Sequence, residues 1–263
     1  MSRIVQAGPG LHIGTPMLAQ TVDRDQVISP YPKIVEGHTL ETLRVAGKEM
    51  AVGNGLDSCA CNKLDISWLP FAAAHYHISS SISDYVLCEV YSVCASLPNR
   101  NHDSFPYDEL TSFRSMHGIP CYKTFVGKAC HQDHINDDDT KAKGVIFDAN
   151  LVPFRGQWHV KILKGFDRTK DARLARLVQE KNRIGHSMGA LVEQTECSLP
   201  WCRHLSDGIT TCEHIAGGAG KGQIIRKHLL YELLRAFAYV EDSSVEDPAN
   251  VLSLTDLIWE LGN

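Results

Sequence analysis

Two stretches restrict what this chain can fold into. In "DYVLCEVYSVCASL", residues 84–97, and "QWHVKILKGF", residues 157–166, apolar and polar side chains alternate, and the first is rich in valine and tyrosine. Successive strand side chains point to opposite faces, so this period is that of a strand with one face in a core. "GVIFDANLV", after a polar loop, and "GHSMGALVEQTEC", residues 185–197, have the same character. "YKTFVG" reads as a further strand.

Helical spacing is sparser. "YDELTSF" gives a short helix, and Leu174, Leu177 and Val178 share a helical face that Asp167 or Thr169 could cap and that should end near Asn182. "KGQIIRKHLLYELLRAFAYVEDSSV" fits either a helix through Ile225, Leu229, Leu233 and Phe237 or a final strand over its last ten residues. "SLTDLIWELG" reads as a short C-terminal helix started by Ser253 or Thr255. The expected class is α+β, a mixed sheet core with a few packed helices.

Residues 1–80 hold turn signals ("GPG", "SPYP", "GNG") and short apolar runs, of which "MLAQTV" and "KIVEG" suit short strands. They are expected to form an irregular N-terminal extension or propeptide-like region before a core over 81–250, with 251–263 a C-terminal helix or tail. A chain of 263 residues can bury a core without disulfide staples. Its 26 basic and 31 acidic residues give a net charge of −5 with no basic run, so neither nucleic acid nor an anionic membrane is an expected partner. No apolar stretch has the length of a membrane span, and "MSRIVQAGPGLHIGTPM" lacks the apolar core of a secretory signal. A soluble cytoplasmic protein is therefore expected. The nine cysteines would then be free thiols or metal ligands.

Three constellations could carry chemistry. Ser187 stands in a strand beside the small residue Gly189, and His131 and His134 lie in a polar loop between two earlier strands. A serine hydroxyl attacks only when an imidazole takes its proton and donors receive the oxyanion; Gly189 N–H and Arg183 are candidate donors. The setting is not the G-x-S-x-G elbow of α/β-hydrolases, and a serine packed in a sheet is the plainer reading. In "CSLPWCRHLSDGITTCEHI", Cys197 and Cys202 are separated by four residues, and Cys212 and His214 follow after nine more. Thiolates and an imidazole paired on loops make a structural zinc site, although C-x-H is a tight second pair. "CHQDH" before three aspartates offers histidines three apart, but lacks the glutamate and helix of H-E-x-x-H and reads as a solvated loop.

The order of the pieces adds a resemblance. "PNRNHDSFP", "YKTFVGKACHQDH", the Gly-Val-Ile-Phe-Asp strand, "DRTKDARLARLV", "GHSMGALVE", the cysteine loop and "YVEDSSVEDPAN" follow one another over roughly residues 80–250. The series resembles the prohead (head-maturation) proteases of tailed bacteriophages, which are similar in fold to the herpesvirus assembly proteases. The resemblance implies a β-barrel-like core and a serine endopeptidase that needs no cofactor for catalysis. It implies Ser187 as nucleophile and His134, last in its segment, as base rather than His131. The third member stays open among Asp167, Asp148 and His214. His186 departs from the small or apolar residue expected there, and as a strand neighbour it should face away from the Ser187 side. Also implied are scaffold and major capsid proteins as substrates, self-cleavage, a homo-oligomer, and action in the host cytoplasm inside the assembling prohead. The alternative is an inactive head-associated structural protein of the same fold.

Overall fold

The computed structural model describes residues 3–6, 66–114, 118–180, 184–207, 210–216, 220–250 and 252–259. Along the chain, β1 (Arg3–Gln6) and α1 (Leu69–Tyr76) precede β2 (Tyr85–Cys94), β3 (Asp103–Ser104) and α2 (Tyr107–Thr111). Then come β4 (Phe113–Arg114), β5 (Ile119–Pro120), a 3₁₀ turn over Cys121–Phe125, β6 (Ala129–Cys130), β7 (Gly144–Phe154) and β8 (Gln157–Asp167). Helix α3 (Ala172–Gln179) leads into β9 (Gly185–Cys197), β10 (Leu205–Ser206), β11 (Ile224–Ile225), β12 (His228–Leu229), β13 (Glu232–Val245) and β14 (Thr255–Trp259).

The fold is α+β around one mixed sheet, in the order β1-β9-β13-β6-β7-β8-β2-β14. β10 is attached to β9 and β3 to β13. Neighbours are antiparallel except that β3 and β6 run parallel to β13. The sheet is not closed into a barrel. β14 ladders along β2, and its link to β9 is confined to the Gly185–Leu254 bridge and flanking bonds such as His186 N–H to Ser253 O at 2.8 Å.

Alternation in β2 and β8 sends Val86, Cys88, Val90, Ile162 and Phe166 into the main core, where Met188, Ala190 and Val192 of β9 meet Phe237 and Tyr239 of β13. Phe125 stacks on Tyr239 with ring centroids 3.6 Å apart. On the sheet's other face Leu69, Ala72 and Tyr76 of α1 pack with Tyr85, Val145 and Phe147. Burying side chains of this size contributes about 1.5–3 kcal/mol each, which fixes the strand register beneath the site.

Several local expectations change. The C-terminal helix expected in 251–263 is instead strand β14. Periodicity does not separate helix from strand in so short an apolar run, and the free edge of β2 decides the matter. "AFAYVEDSSV" is strand, the second half of β13. "YKTFVG" is the 3₁₀ turn, begun by Pro120 and tied by Thr124 Oγ1 to Cys121 O at 2.7 Å. Asp171, not Asp167 or Thr169, caps α3 by accepting from Leu174 N–H at 2.9 Å. "MLAQTV" and "KIVEG" lie outside the described residues.

Candidate active site

β9 and β13 carry the site between them. Their register sets Ser187 opposite Ser243 and Gly189 opposite Glu241, while Met188 faces Asp242 on the interior side. The alternation that buries Tyr239 would send Glu241, two residues on, into the same core. A bulge between Tyr239 and Glu241 absorbs one extra residue, Val240, and turns Glu241 to the Ser187 face. Gly189 makes that turn possible, because a Cβ there would stand 2.7 Å from Glu241 Oε1.

His134 reaches this face from the loop after β6. Asp133 and His134 have positive φ, 52° and 56°, and Ile135 N–H closes on Gln132 O at 3.0 Å, a turn of the primed kind. Two non-glycine residues in the left-handed region cost on the order of 1–3 kcal/mol each. Their hold on β13 offsets that cost: Asp133 N–H donates to Ser244 O at 2.9 Å and His134 N–H to Ser243 Oγ at 3.2 Å. The imidazole then meets the Glu241 carboxylate, Nδ1 to Oε1 at 2.8 Å, and Ser243 Oγ–H donates to the other oxygen, Oε2, at 2.7 Å. Glu241 is buried and His134 nearly so. A carboxylate on Nδ1 selects the tautomer with its proton there and leaves Nε2 as the basic nitrogen. Ser187 is buried, and its Oγ has no hydrogen-bond partner among the described residues. Ser243, which takes the His134 amide, is its direct neighbour across the ladder.

The other candidates for the third position lie elsewhere. Asp167 ends β8 and binds Ser79 N–H and Thr169 at 2.6–2.8 Å, a turn-holding role. Asp148 pairs with Lys123 at 2.9 Å. His214 belongs to the cysteine cluster. The placement of Glu241 beside His134 is not legible in the sequence, because a bulge leaves no mark there. The available signal was the Glu-x-Ser spacing of Glu241 and Ser243 in a segment that could be read as strand. His131 is buried with its pKa lowered, chiefly by burial. Arg183 lies outside the described residues. Gly189 is laddered to Glu241 on one side and to Gln6 on the other.

The interior face of the same strands carries a separate network. Lys164 Nζ, fully buried, donates to the Asp242 carboxylate, to Asp242 O at 2.9 Å and to His186 Nδ1 at 3.0 Å. All three ammonium protons are used. Burial alone would lower the lysine pKa, but the Asp242 charge outweighs it and holds Lys164 protonated. Burial first, then Lys164, pushes His186 well below its ordinary value, so the ring is neutral and its Nε2 faces Thr255 Oγ1 at 3.0 Å. His186 therefore belongs to a clamp between β8, β9, β13 and β14, on the face away from Glu241.

Ser187 is one wall of a cleft of about 320 Å³ that also takes in His186 and Met188, while His134, Glu241 and Ser243 are not among its lining residues. Its walls are mostly apolar, with Val93, Leu97, Phe105, Met188 and Leu252, and the "PNR" loop contributes Asn99 and Arg100. Asn99 Oδ1 accepts from Asn101 and Asp103 N–H at 2.9 and 3.1 Å, which stiffens that loop.

At the far end of β9, Cys197, Cys202, Cys212 and His214 bring one donor atom each within 4.8 Å of one another. Turns build the cluster: Cys202 N–H bonds Leu199 O at 2.9 Å, and Ile215 N–H bonds Cys212 O at 3.1 Å. Gly220 lets the next segment lie against it, since a Cβ there would fall 1.8 Å from His214 O. Burial pushes the Cys197 thiol up to about 12, and His214 Nδ1 is buried without a hydrogen-bond partner among the described residues. The three thiols and the imidazole so placed can bind a metal ion. His204 stands apart, its ring at Thr210 O. Among the described residues no second group of three or more such donors converges, so "CHQDH" does not form one.

Comparison of the chain with known protein families, characterised proteins and solved structures found no match.

Proposed function

We propose that the protein is a serine endopeptidase with Ser187 as nucleophile, His134 as general base and Glu241 as the group that orients the base. The observation that carries this reading is the His134–Glu241 contact of 2.8 Å on the strand face that bears Ser187. In the proposed mechanism His134 Nε2 takes the Ser187 proton as Oγ attacks a scissile carbonyl. The imidazolium is stabilised by Glu241 and then gives the proton to the leaving amine. Water, deprotonated by the same imidazole, releases the acyl group. The neighbouring cleft has the size and apolar lining to hold a substrate side chain.

Together with the motif order over residues 80–250, this favours a head-maturation protease that cleaves scaffold and major capsid proteins, and itself, inside the assembling prohead in the host cytoplasm, as a homo-oligomer. Catalysis by this set requires no cofactor. We assign the cysteine cluster to a structural zinc. Zn–S bonds of about 2.3 Å place tetrahedral sulfurs about 3.8 Å apart, within the spread of the four donors. Four protein ligands leave no open position for water, so the ion would brace the loop after β9 and take no part in hydrolysis.

Co-expression with scaffold and capsid proteins, read by intact mass, tests the reading. Truncated products are expected with the wild-type chain and full-length products with Ser187→Ala. Identical full-length products from both would favour the inactive structural relative.

A further inference from the structure

The outer edge of β9 has three parts. Val192 to Gly189 ladder antiparallel with Arg3 to Gln6. Gly185 and His186 are tied to Leu254 and Ser253. Between these lie Ser187 and Met188, where no ladder partner sits on this edge among the described residues. The cleft borders this gap, with His186, Ser187, Met188 and Leu252 among its walls. The ladder of β1 thus stops two residues short of the nucleophile, on the edge that leads to it.

Antiparallel register has a direct consequence. Each residue beyond the partner of Gly189 moves one residue back along β9. A peptide laid on this edge in the register of β1 therefore places its second further residue opposite Ser187, with that side chain and the one opposite Gly189 on the same sheet face. Main-chain ladder bonds bind such a peptide with little regard to sequence, and the cleft would select the side chain that enters it.

We propose that the outer edge of β9 over residues 189–192 is a docking edge for an extended peptide, and that the N-terminal strand Arg3–Gln6 is its intramolecular occupant. A peptide binding in trans must displace β1. This rests on the peptidase reading of Ser187 for its purpose, but the docking edge itself is a matter of backbone pairing and can be tested separately.

The test uses the full chain carrying Ser187→Ala, with and without Ile4→Pro and Val5→Pro. Alternate residues of an antiparallel strand donate to a given neighbour, so prolines at both positions remove at least one ladder N–H whatever its phase. The probe is a fluorescein-labelled synthetic peptide of residues 1–8, followed by anisotropy, with amide exchange read over residues 189–192. The proline variant is expected to bind the peptide at least ten-fold more tightly than the unaltered chain, and the peptide should slow exchange over 189–192 there. Equal affinity for the two chains, or exchange over 189–192 unaffected by peptide, would overturn the proposal. Fluorophosphonate labelling of the corresponding chains with Ser187 intact separates the two ideas. Peptide binding without labelling removes the peptidase and keeps the edge; labelling without peptide binding removes the edge alone.

Discussion

The two ends of β9 are built in opposite ways. At Cys197 the donors come from one loop, Cys197 to His214, and two tight turns collect them. At the Ser187 end, His134 comes from a left-handed turn after β6 and Glu241 from a bulge in β13. The first end is local, and its geometry depends on the loop and on any ion it holds. The second is held by sheet register and by a buried ion pair beneath it, so distant changes in the sheet should reach it while changes at the cysteines should not. Placing both on one strand gives a direct way to separate structure from chemistry.

The largest expected separation comes at Ser187, the proposed nucleophile. Ser187→Ala should reduce peptide hydrolysis by about 10⁶-fold. Stability should hold or rise slightly, because the deleted hydroxyl is buried without a partner among the described residues. A urea midpoint that drops sharply would mean Ser187 is a structural residue. Glu241→Gln should follow with a loss of about 10⁴-fold in kcat, since an amide no longer selects the tautomer or stabilises the imidazolium. Asp148→Asn, at a carboxylate paired with Lys123 and away from this face, should leave kcat near the wild-type value, and equal losses at the two positions would contradict the assignment of Glu241.

The clamp sharpens the comparison from below. Lys164→Met leaves Asp242 buried and without its cation, and should cost about 3–5 kcal/mol in denaturant unfolding. Adding Asp242→Leu should recover most of that, because an apolar pair replaces the ion pair. A double variant as unstable as the single one would show that packing, not charge, holds β8 to β13. At the other end, chelation or Cys202→Ser should loosen the loop after β9, seen as faster amide exchange over 198–216, while labelling of Ser187 stays unchanged. Loss of labelling on chelation would place the metal in the chemistry.

The smallest effect is with pH. His131, His159 and His186 are buried with pKa values lowered by burial, so each is neutral in the fold and takes a proton more readily when unfolded. Their contribution is complete above about pH 6.5 and declines as pH falls below it toward the folded-state values. Unfolding free energy measured between pH 7 and pH 5.5 should fall accordingly; a flat profile would mean the three rings titrate alike in the folded and unfolded chains, and a rise would mean they are charged in the fold.

The same contrast between local and non-local construction explains what could be read from residues alone. The convergence of Cys197, Cys202, Cys212 and His214 is legible because ligand spacing within one loop is a local property. β2, β7, β8 and β9 were legible because alternation is local too. The candidate site is legible in part. The motif order points to Ser187 and His134, and the opposite facing of His186 follows from strand geometry. Glu241 did not emerge, because its direction depends on the Val240 bulge and on the space at Gly189, features of two strands paired far apart in sequence. "SLTDLIWELG" has the look of a helix for a related reason: the free edge of β2 that captures β14 lies more than 150 residues earlier.

The most direct measurement is active-site titration with a fluorophosphonate, mapped by peptide mass, on the wild-type, His134→Ala, Glu241→Gln and Cys202→Ser chains. A single adduct on Ser187 is expected in wild type and in Cys202→Ser at matching rates, slowed by several orders of magnitude in the other two. An adduct elsewhere, or a Ser187 rate indifferent to His134 and Glu241, would contradict the account.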